Sequence, residues 1–427
     1  MATVESTLGS VFASDVEDRF RRWGLDPSAA IKACWDFVQD RYGADEGDDD
    51  DEDDDHTTAI RESHSQGYCS YTLCVGSRLI VQFRPAAHPI DMQVAARARA
   101  VYGRLAPATR FLGVVQVGTS SAPASGSVTS MEGGVAAEVT RASSDGAAML
   151  FAYCMTRIPG ISLAELRSSA PRIASDPALR GDLVYGFAHF VARGWSAAAS
   201  EDGPAWGRRG ERRWLRSRLE TLRDSLPPRF RQRVDMVLAS LASIEALPWV
   251  LTHTDVVPSN IMVLSAVADR EKTREDERES GSCRRGDSLS GLLDWAEAEC
   301  LPFGVGTCGL EELLGRSTPG DGEDAASTPQ RRSFYPPPGS RFAFDADAAR
   351  LRRLFWTELA AAVPRLQEAD AADVMVTLER ARDLGVLLRH GIAFDEGRLD
   401  RVVQEGRDDE EVQRLDLFLF GCGDEGG

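Results

Sequence analysis

The chain lacks any apolar run of about 18 residues, the length that a helix needs to cross a bilayer, so we expect no membrane span. Its first residues, Met1-Ala-Thr-Val-Glu-Ser, have neither a basic start nor an apolar stretch, which argues against a secretory signal. The eight cysteines have no framework spacing, a pattern typical of reduced thiols in a cytosolic protein. We therefore expect a cytoplasmic location.

Basic residues are in the minority, since 49 Lys and Arg stand against 67 Asp and Glu, and the formal net charge is −18. Such a chain would repel phosphates, so nucleic-acid binding is not expected. Much of the excess lies in the acidic run Asp48–Asp55, which predicts a solvated, disordered loop. The apolar fraction of 43% is that of a globular protein, and the length of 427 residues predicts two lobes or domains.

One stretch carries a chemical pattern: His253, Asp255 and Asn260 follow an apolar segment, and Asp294 ends a later one. Phosphoryl transfer of the kinase type needs an Asp at the attacking hydroxyl, an Asn that reaches Mg²⁺ and a second Asp that holds the metals. Asp255, Asn260 and Asp294 fit these roles in that order. His253 is better interpreted as an orienting residue, because it lies two positions before Asp255.

The spacing predicts how these side chains meet. Ile261–Leu264 and Leu289–Leu293 are typical of two short buried strands, and an antiparallel pair would bring Asn260 and Asp294 to one place. The charged segment 265–289 is interpreted as an insertion at the hairpin tip, which costs little because loop-closure entropy grows only logarithmically. The alternative is an accidental H-x-D in a surface turn, with the second Asp capping a strand.

The run from His253 to Asn260, together with Asp294-Trp295, resembles the aminoglycoside phosphotransferase and choline kinase-like family. Asp294–Gly304 and Tyr153–Gly160 resemble its fungal branch. The resemblance extends from about Ser65 to about Phe394. It implies a two-lobed, protein kinase-like fold, ATP or GTP as the donor, Mg²⁺, and a small hydroxylated acceptor such as an aminoglycoside or an amino alcohol.

The resemblance also places the nucleotide-covering loop at Gly67 and Ser70. Alternation along Leu79–Arg84 predicts a strand with Gln82 and Arg84 on one face. The kinase-like fold has a phosphate-binding Lys on this strand, and none is present, so we expect Arg84, with Gln82, to bind the phosphates. The alternative is that Arg84 is a solvated strand end.

The helix predicted at Asp91–Leu105 carries Gln93 where an acid is expected, which leaves the usual ion pair in question. Ala148–Met155 is typical of a buried strand, and the resemblance places the adenine against the backbone there, at Cys154 and Met155. Arg157–Gly160 is interpreted as the lobe connector, the alternative being a plain strand-to-helix turn.

Beyond the connector the apolar period becomes helical. With an earlier helix from Asp26-Pro27 to Tyr42, the pattern predicts an α+β fold, with a small antiparallel sheet lobe before a larger, mainly helical lobe. The expected divisions are a helical extension (1–64) with a disordered loop (45–55), a nucleotide-binding lobe (65–155), a catalytic lobe (156–394) and a C-terminal tail (395–427). The predicted helices of the larger lobe are Ala178–Ala197, Glu211–Leu226, Phe230–Ala246, Asp345–Val363 and Asp370–His390.

Two other functions remain open. A kinase-like nucleotide-binding module without turnover, a pseudoenzyme, is favoured by the missing Lys. A nicotinamide-dependent oxidoreductase would use Gly304–Gly309, which matches G-x-G-x-x-G. That match lacks the strand and βαβ unit that a dinucleotide fingerprint requires, so we interpret it as a flexible stretch. The sequence defines neither the acceptor nor the oligomeric state.

Overall fold

The structure is a computed structural model that describes residues 16–43, 59–63, 66–117, 148–198, 208–264, 285–318, 339–395 and 398–421. The expected acidic loop at 45–55 and most of the insertion 265–289 lie outside these residues. The chain divides into two compact units. The sheet unit comprises described residues within Met1–Ala96 and Pro107–Arg157, and the helical unit those within Arg97–Ala106 and Ile158–Gly427.

The sheet unit contains one five-stranded antiparallel sheet, with the strands in the order β1-β2-β3-β5-β4. Its strands are β1 (Ile60–Glu62), β2 (Tyr71–Val75), β3 (Leu79–Pro85), β4 (Thr109–Val117) and β5 (Ala148–Thr156). The strands predicted at Leu79–Arg84 and Ala148–Met155 are confirmed as β3 and β5. Alternation along β3 buries Val81 and Phe83 in the apolar core of this unit.

A helix covers the apolar face of the sheet. Helix α1 (Pro27–Tyr42) begins as predicted, because the Asp26 carboxylate accepts a 2.8 Å hydrogen bond from the backbone N–H of Ala29 and Pro27 occupies the first turn. Its residues Ala30, Cys34 and Val38 are fully buried and belong to the same core as Tyr71 and Phe83. Helical residues 16–22 add Val16 and Phe20 to this core.

Helix α2 (Met92–Tyr102) contains the boundary between the units and ends in a 3-10 turn, Gly103–Leu105. The described helices of the helical unit are α3 (Leu163–Ser169), α4 (Pro171–Ala174), α5 (Pro177–Ala198), α6 (Arg208–Ser225), α7 (Arg231–Ala246), α8 (Glu311–Leu314), α9 (Ala348–Ala362), α10 (Ala371–His390) and α11 (Asp409–Phe420). The five helices predicted in this unit are confirmed as α5, α6, α7, α9 and α10, each with ends within three residues of the prediction, and four shorter helices were not predicted.

Short antiparallel strands complete the helical unit, in one three-stranded sheet, β6-β8-β9, and three pairs, β7-β10, β11-β12 and β13-β14. Their bounds are β6 (Ile161–Ser162), β7 (Trp249–Thr252), β8 (Ile261–Val263), β9 (Leu289–Leu292), β10 (Glu299–Pro302), β11 (Gly315–Thr318), β12 (Arg341–Phe344), β13 (Ile392–Asp395) and β14 (Arg398–Val402). The predicted hairpin is confirmed as β8 and β9, paired with Ile261 opposite Leu292.

The core of the helical unit is formed chiefly by α6, α7, α10 and α11. The region assigned above as a C-terminal tail contributes β14 and α11, which the sequence analysis did not predict. In α11, Val412, Leu415 and Phe418 are buried in the same core as Leu219 of α6 and Val237 of α7. These residues make α11 an integral part of the unit.

The expectation that Gly304–Gly309 is a flexible stretch is wrong. Val305–Leu310 forms a 3-10 helix, with Val305, Thr307, Gly309 and Leu310 buried. The segment follows the antiparallel strand β10 and leads into α8, so the βαβ unit of a dinucleotide site is not formed there. Its glycines serve close packing instead.

The described helices include none that is both long and apolar enough to cross a membrane.

The six described cysteines are all free thiols. Burial raises the pKa of Cys34 well above its ordinary value and raises the pKa of Cys308 to about 11, so both stay protonated near neutral pH.

Candidate active site

Two strand pairs in the helical unit position the residues of the H-x-D-x-x-x-x-N motif. Strand β7 pairs with β10 and ends at Thr252, and β8 begins at Ile261, so the motif fills the loop between them. The N–H of Leu293, the first residue after β9, donates a 2.8 Å hydrogen bond to the carbonyl oxygen of Asn260. The hairpin therefore brings the backbone beside Asp294 next to Asn260, as the spacing predicted.

Asn260 is buried, and its side chain is tied to Asp255. Its Nδ2 donates to the Asp255 carboxylate oxygen Oδ2 at 2.9 Å and to the Asp255 carbonyl oxygen at 3.0 Å. With the amide nitrogen turned toward Asp255, the amide oxygen Oδ1 is the atom of Asn260 that can bind a cation. The two residues act as one unit, because the Asn fixes one carboxylate oxygen of the Asp.

His253 links the loop to the end of β9. Its Nε2 lies 2.7 Å from the carbonyl oxygen of Leu293, and since a carbonyl only accepts, Nε2 carries the proton. Its Nδ1 is buried without a hydrogen-bond partner among the described residues. Burial lowers the pKa of His253, so the ring is neutral near pH 7. This geometry fits an orienting residue.

Asp294 has an unusual backbone. It is the one non-glycine residue of the described part of the chain with a positive φ, at φ 57° and ψ 70°. This left-handed conformation costs most residues with a Cβ about 1–2 kcal/mol, Asp and Asn adopt it more readily than the others, and such conformations concentrate at functional sites. It places an exposed carboxylate directly after the buried strand β9.

A cation that the motif does not contain completes the group. Arg389, in the last turn of α10, forms an ion pair with Asp255, with its NH2 2.6 Å from Oδ1. Asp255 therefore has a donor on each carboxylate oxygen, Arg389 on one and Asn260 on the other. Sequence reasoning missed Arg389, because nothing in a local motif indicates a residue so far along the chain.

The 3-10 segment after Asp294 packs on the same loop through its glycines. A Cβ at Gly309 would lie 2.6 Å from the Cβ of Val256, and one at Gly306 would lie 2.8 Å from a methyl carbon of Thr252. Only glycine allows the segment to approach this closely. The strand end before His253 and the residue after Asp255 are thereby held from one side.

The donor set fits Mg²⁺ better than a metal that needs a protein cage. The described residues contain no group of three or more His, Cys, Asp or Glu placed to hold a metal ion. Mg²⁺ prefers oxygen ligands, keeps several waters and is usually held by one or two carboxylates plus substrate phosphates. One carboxylate, Asp294, with the amide oxygen of Asn260 matches that chemistry.

In the sheet unit, three of the predicted nucleotide-binding residues form a hydrogen-bonded chain. Gln82 Nε2 donates to Ser70 Oγ at 3.0 Å, and Arg84 Nε donates to Gln82 Oε1 at 2.8 Å. Arg84 is only 6% exposed, so the alternative that it is a solvated strand end is wrong. Gln82 fixes the guanidinium through one nitrogen.

The loop between β1 and β2 is shaped by a glutamine that sequence reasoning missed. The Gln66 side chain pairs with the backbone of Thr72, accepting from its N–H and donating to its carbonyl oxygen, both at 2.8 Å. A Cβ at Gly67 would lie 2.6 Å from Ser70 Oγ, so a larger residue would displace Ser70. The loop is therefore compact at the two residues assigned to it.

The acid expected on α2 is absent, since none of its residues is Asp or Glu and Gln93 is exposed.

The two residues predicted at the adenine lie on opposite faces of the sheet. Met155 is opposite Ile80, whereas Cys154 is opposite Val81, which faces the apolar core. Both are paired with β3 and β4, so their backbone groups are engaged within the sheet.

Comparison with known proteins gives one match by sequence. Residues 74–271 match the model of the phosphotransferase enzyme family, a stretch that includes Gln82, Arg84, His253, Asp255 and Asn260. This confirms the family resemblance and supports a phosphotransferase. The assignment to a fungal branch stays a prediction. None of the curated protein sequences matches the chain.

Comparison with solved structures returns two aminoglycoside phosphotransferases and a glucosamine kinase among its matches. The GDP complex of aminoglycoside 2′-phosphotransferase-IIIa is 10% identical, with coverage of 91% of this chain and 98% of that one and a TM-score of 0.45. A glucosamine kinase is 16% identical, with coverage of 85% and 80% and a TM-score of 0.33. A streptomycin–ATP ternary complex of APH(2″)-IIa is 9% identical, with coverage of 74% and 87% and a TM-score of 0.32.

Proposed function

We propose that this chain, which carries a sequence match to the phosphotransferase enzyme family, transfers the γ-phosphoryl group of ATP or GTP to a hydroxyl of a small molecule. One observation carries the proposal. Asp255 and Asn260 are hydrogen-bonded to each other, and the hairpin β8-β9 brings the backbone that leads into the strained Asp294 against Asn260. These are the three groups that kinase-type transfer requires.

In the proposed reaction, Asp255 accepts a hydrogen bond from the acceptor hydroxyl and takes its proton. A bond forms between the acceptor oxygen and the γ-phosphorus, and the bond from that phosphorus to the β–γ bridging oxygen breaks. The electron pair stays on the departing nucleoside diphosphate. Because this chemistry is mostly positioning and electrostatic stabilisation, the fixed orientation of the Asp255 carboxylate is its main contribution.

Asn260, through Oδ1, and Asp294, through its carboxylate, would hold Mg²⁺. When bound, this ion neutralises the charge that develops on the phosphate oxygens. His253 keeps the loop in register with the residue before Asp294 and, as a neutral ring, takes no part as a base. Asp294 is exposed and follows the buried strand β9 after one residue, so its carboxylate is accessible to a cation.

We further propose that Arg84 binds phosphate oxygens of the nucleotide in place of the absent Lys. Its Nε donates to Gln82, and its planar guanidinium has the donor geometry that forms a fork with phosphate oxygens. Ser70 and Gly67 would set the loop over the nucleotide, and Met155 would line the adenine. Cys154 faces the core, so we propose for it only a role in the strand backbone.

The acceptor we propose is a small hydroxylated molecule of the aminoglycoside or amino-alcohol type, as the family resemblance implies. The competing function is a nucleotide-binding module without turnover. It is favoured by one specific observation, the absence of any acidic residue on α2 that could pair with Arg84. Nucleotide binding without turnover in a broad acceptor panel would decide for that alternative.

The first experiment is a thermal-shift titration with ATP, GTP and NADPH, each with and without Mg²⁺. A ligand that binds the folded state raises its apparent stability by mass action. We expect an increase that depends on Mg²⁺ with ATP or GTP and none with NADPH. Absence of a shift with both triphosphates would contradict the proposal.

Variants then separate the roles. Asp255→Asn is expected to abolish transfer and to keep Mg²⁺–nucleotide binding, whereas Asp294→Asn is expected to weaken that binding as well. Equal loss of nucleotide binding in both variants would contradict the role assignments. Arg84→Met should weaken binding of both di- and triphosphate, because we place it on the phosphate chain of the nucleotide.

A further inference from the structure

Arg389 meets the proposed catalytic base from a distant part of the helical unit. Its NH2 lies 2.6 Å from Oδ1 of Asp255, and the two side chains are only 20% and 21% exposed. Asn260 donates to the opposite oxygen, Oδ2, at 2.9 Å. A pair this buried is screened little by salt, unlike an ion pair at the surface.

The position of Arg389 is fixed by the packing around it. The next residue, His390, is buried, and its Nδ1 lies 2.6 Å from the Glu411 carboxylate on α11. One turn before, α10 packs so closely on the 3-10 segment that a Cβ at Gly385 would lie 2.1 Å from the Val305 carbonyl oxygen. The end of α10 is thus held from two sides, and the guanidinium is delivered to Asp255 by built contacts.

This placement supplies a charge that the loop itself lacks. The residues between Asp255 and Asn260 are Val-Val-Pro-Ser and contain no cation. In phosphoryl transfer, negative charge spreads over three equatorial oxygens of the transferring group, and an arginine can stabilise that charge, as the arginine finger of GTPases does. The guanidinium has five N–H donors in a planar fork, so it can bridge a carboxylate and a phosphate.

The acceptor hydroxyl must lie within hydrogen-bond distance of Asp255 and within about 3–3.5 Å of the phosphorus it attacks. A guanidinium in contact with the same carboxylate is then within side-chain reach of the γ-phosphate oxygens. We propose that Arg389 binds the γ-phosphoryl group while it holds Asp255, and that it makes the site prefer a triphosphate to a diphosphate. This inference rests on the proposed function. Arg389 stays protonated throughout and neither gains nor loses a proton in the transfer.

The test compares affinities for two nucleotides by calorimetry, in the full chain and with Mg²⁺. The probes are ADP and the non-hydrolysable β,γ-imido analogue of ATP, with the guanine pair used if GTP is the donor. Arg389→Met is expected to lower the affinity for the triphosphate analogue about 10- to 100-fold, the loss typical of a charge-assisted hydrogen bond. Affinity for ADP should change less than about threefold, because ADP has no γ-phosphoryl group.

Two controls separate this role from others. Arg380→Met removes an arginine from the same helix that is 22% exposed and also pairs with an aspartate, Asp383, so it should leave both affinities unchanged. The double variant Arg389→Met with Asp255→Asn removes the charge that Arg389 neutralises. If the triphosphate loss came only from an exposed Asp255 charge, the double variant would regain affinity, and that result would overturn the proposal.

Arg389→Lys keeps the positive charge and loses the planar fork of donors. Its affinity for the triphosphate analogue should therefore lie between those of the wild type and Arg389→Met. It replaces Arg389→Met if that variant does not fold. If Arg389→Met left the ratio of the affinities for the two probes unchanged, the role of Arg389 would be overturned and the proposed function would stand. If the wild type bound neither probe, the proposed function itself would fail, and this inference with it.

Discussion

The Nε2 of His253 lies 2.7 Å from the carbonyl oxygen of Leu293, so the residue two before Asp255 is joined to the residue directly before Asp294. Leu293 also donates its N–H to Asn260. One residue of the backbone therefore connects both ends of the motif loop to the second Asp. The neutral state of His253 matters to this arrangement, because its Nδ1 is buried without a described partner.

Acid should weaken the fold through His253. Burial lowers the pKa of His253 in the folded chain, so below the ordinary value of about 6.5 the unfolded chain binds a proton that the folded chain does not. The contribution of His253 to the free energy of unfolding is therefore fully present above about pH 6.5. It falls as the pH drops, by at most about 1.4 kcal/mol per pH unit. Urea unfolding of wild type and His253→Gln from pH 7.5 to about 5 measures this, and the variant should show the shallower slope. Parallel slopes would contradict it.

The backbone strain at Asp294 predicts an order of stability. At φ 57° a Cβ without a polar group is unfavourable, whereas Asn and Gly tolerate this region. Asp294→Ala should therefore be about 1 kcal/mol less stable than Asp294→Asn, although both lose the carboxylate. Denaturant midpoints of the two variants, with Asp294→Gly as the control for strain, measure the difference. An alanine variant as stable as the other two would mean that the left-handed conformation is relaxed in solution.

Two helical glycines should respond oppositely to the same substitution. A Cβ at Gly385 would lie 2.1 Å from the Val305 carbonyl oxygen, so Gly385→Ala must push α10 away and should cost about 1–3 kcal/mol. No atom lies within 4 Å of a Cβ at Gly181 of α5, so Gly181→Ala should stabilise by about 0.5–1 kcal/mol. Thermal unfolding of both variants is the measurement. A neutral Gly385→Ala would show that the helix end is not tightly packed.

The carboxylate of Glu311 is fully buried between two arginines. Arg382 donates to it from NH2 at 2.6 Å and Arg352 donates from NH2 at 2.7 Å. Glu311→Gln removes the carboxylate that Arg352 and Arg382 share, although Arg382 keeps Asp383 3.0 Å from its NH1, and it should cost about 3 kcal/mol. The control is Arg104→Gln, which breaks a pair with Asp287 whose arginine is 72% exposed and should cost at most about 1 kcal/mol. Similar losses in the two variants would refute this contrast.

The parts of the fold that were predictable are those with a local cause. Asp26-Pro27 marks the start of α1, and the apolar runs on either side of the insertion mark β8 and β9, because a cap or a strand pattern is written in adjacent residues. The chain from Ser70 through Gln82 to Arg84 was predicted as a group of residues but not as hydrogen bonds. Neighbours on one face are visible in the sequence, whereas side-chain pairing is not.

The parts that could not be predicted depend on distant contacts. Arg389 reaches Asp255 only because α10 packs where it does, and no local pattern carries that information. For Gly304–Gly309 a local pattern was present, but it predicted the wrong structure. Three glycines in six residues are typical of a flexible loop, but Gly306 and Gly309 are needed for close approach to Thr252 and Val256. Glycine content alone does not distinguish mobility from tight packing.

Helix α11 has a consequence for how the chain is made. Its residues complete the core built on α6 and α7, and Asp416 of α11 accepts hydrogen bonds from Arg229, 187 positions earlier. At a synthesis rate of about 5–20 residues per second, the ribosome needs roughly 10 to 40 seconds to make the intervening chain. During that interval Leu219, Val237 and their neighbours have left the ribosome without the helix that covers them. The core of the helical unit therefore closes only after α11 has been made, and until then the apolar faces of α6 and α7 lack the helix that covers them.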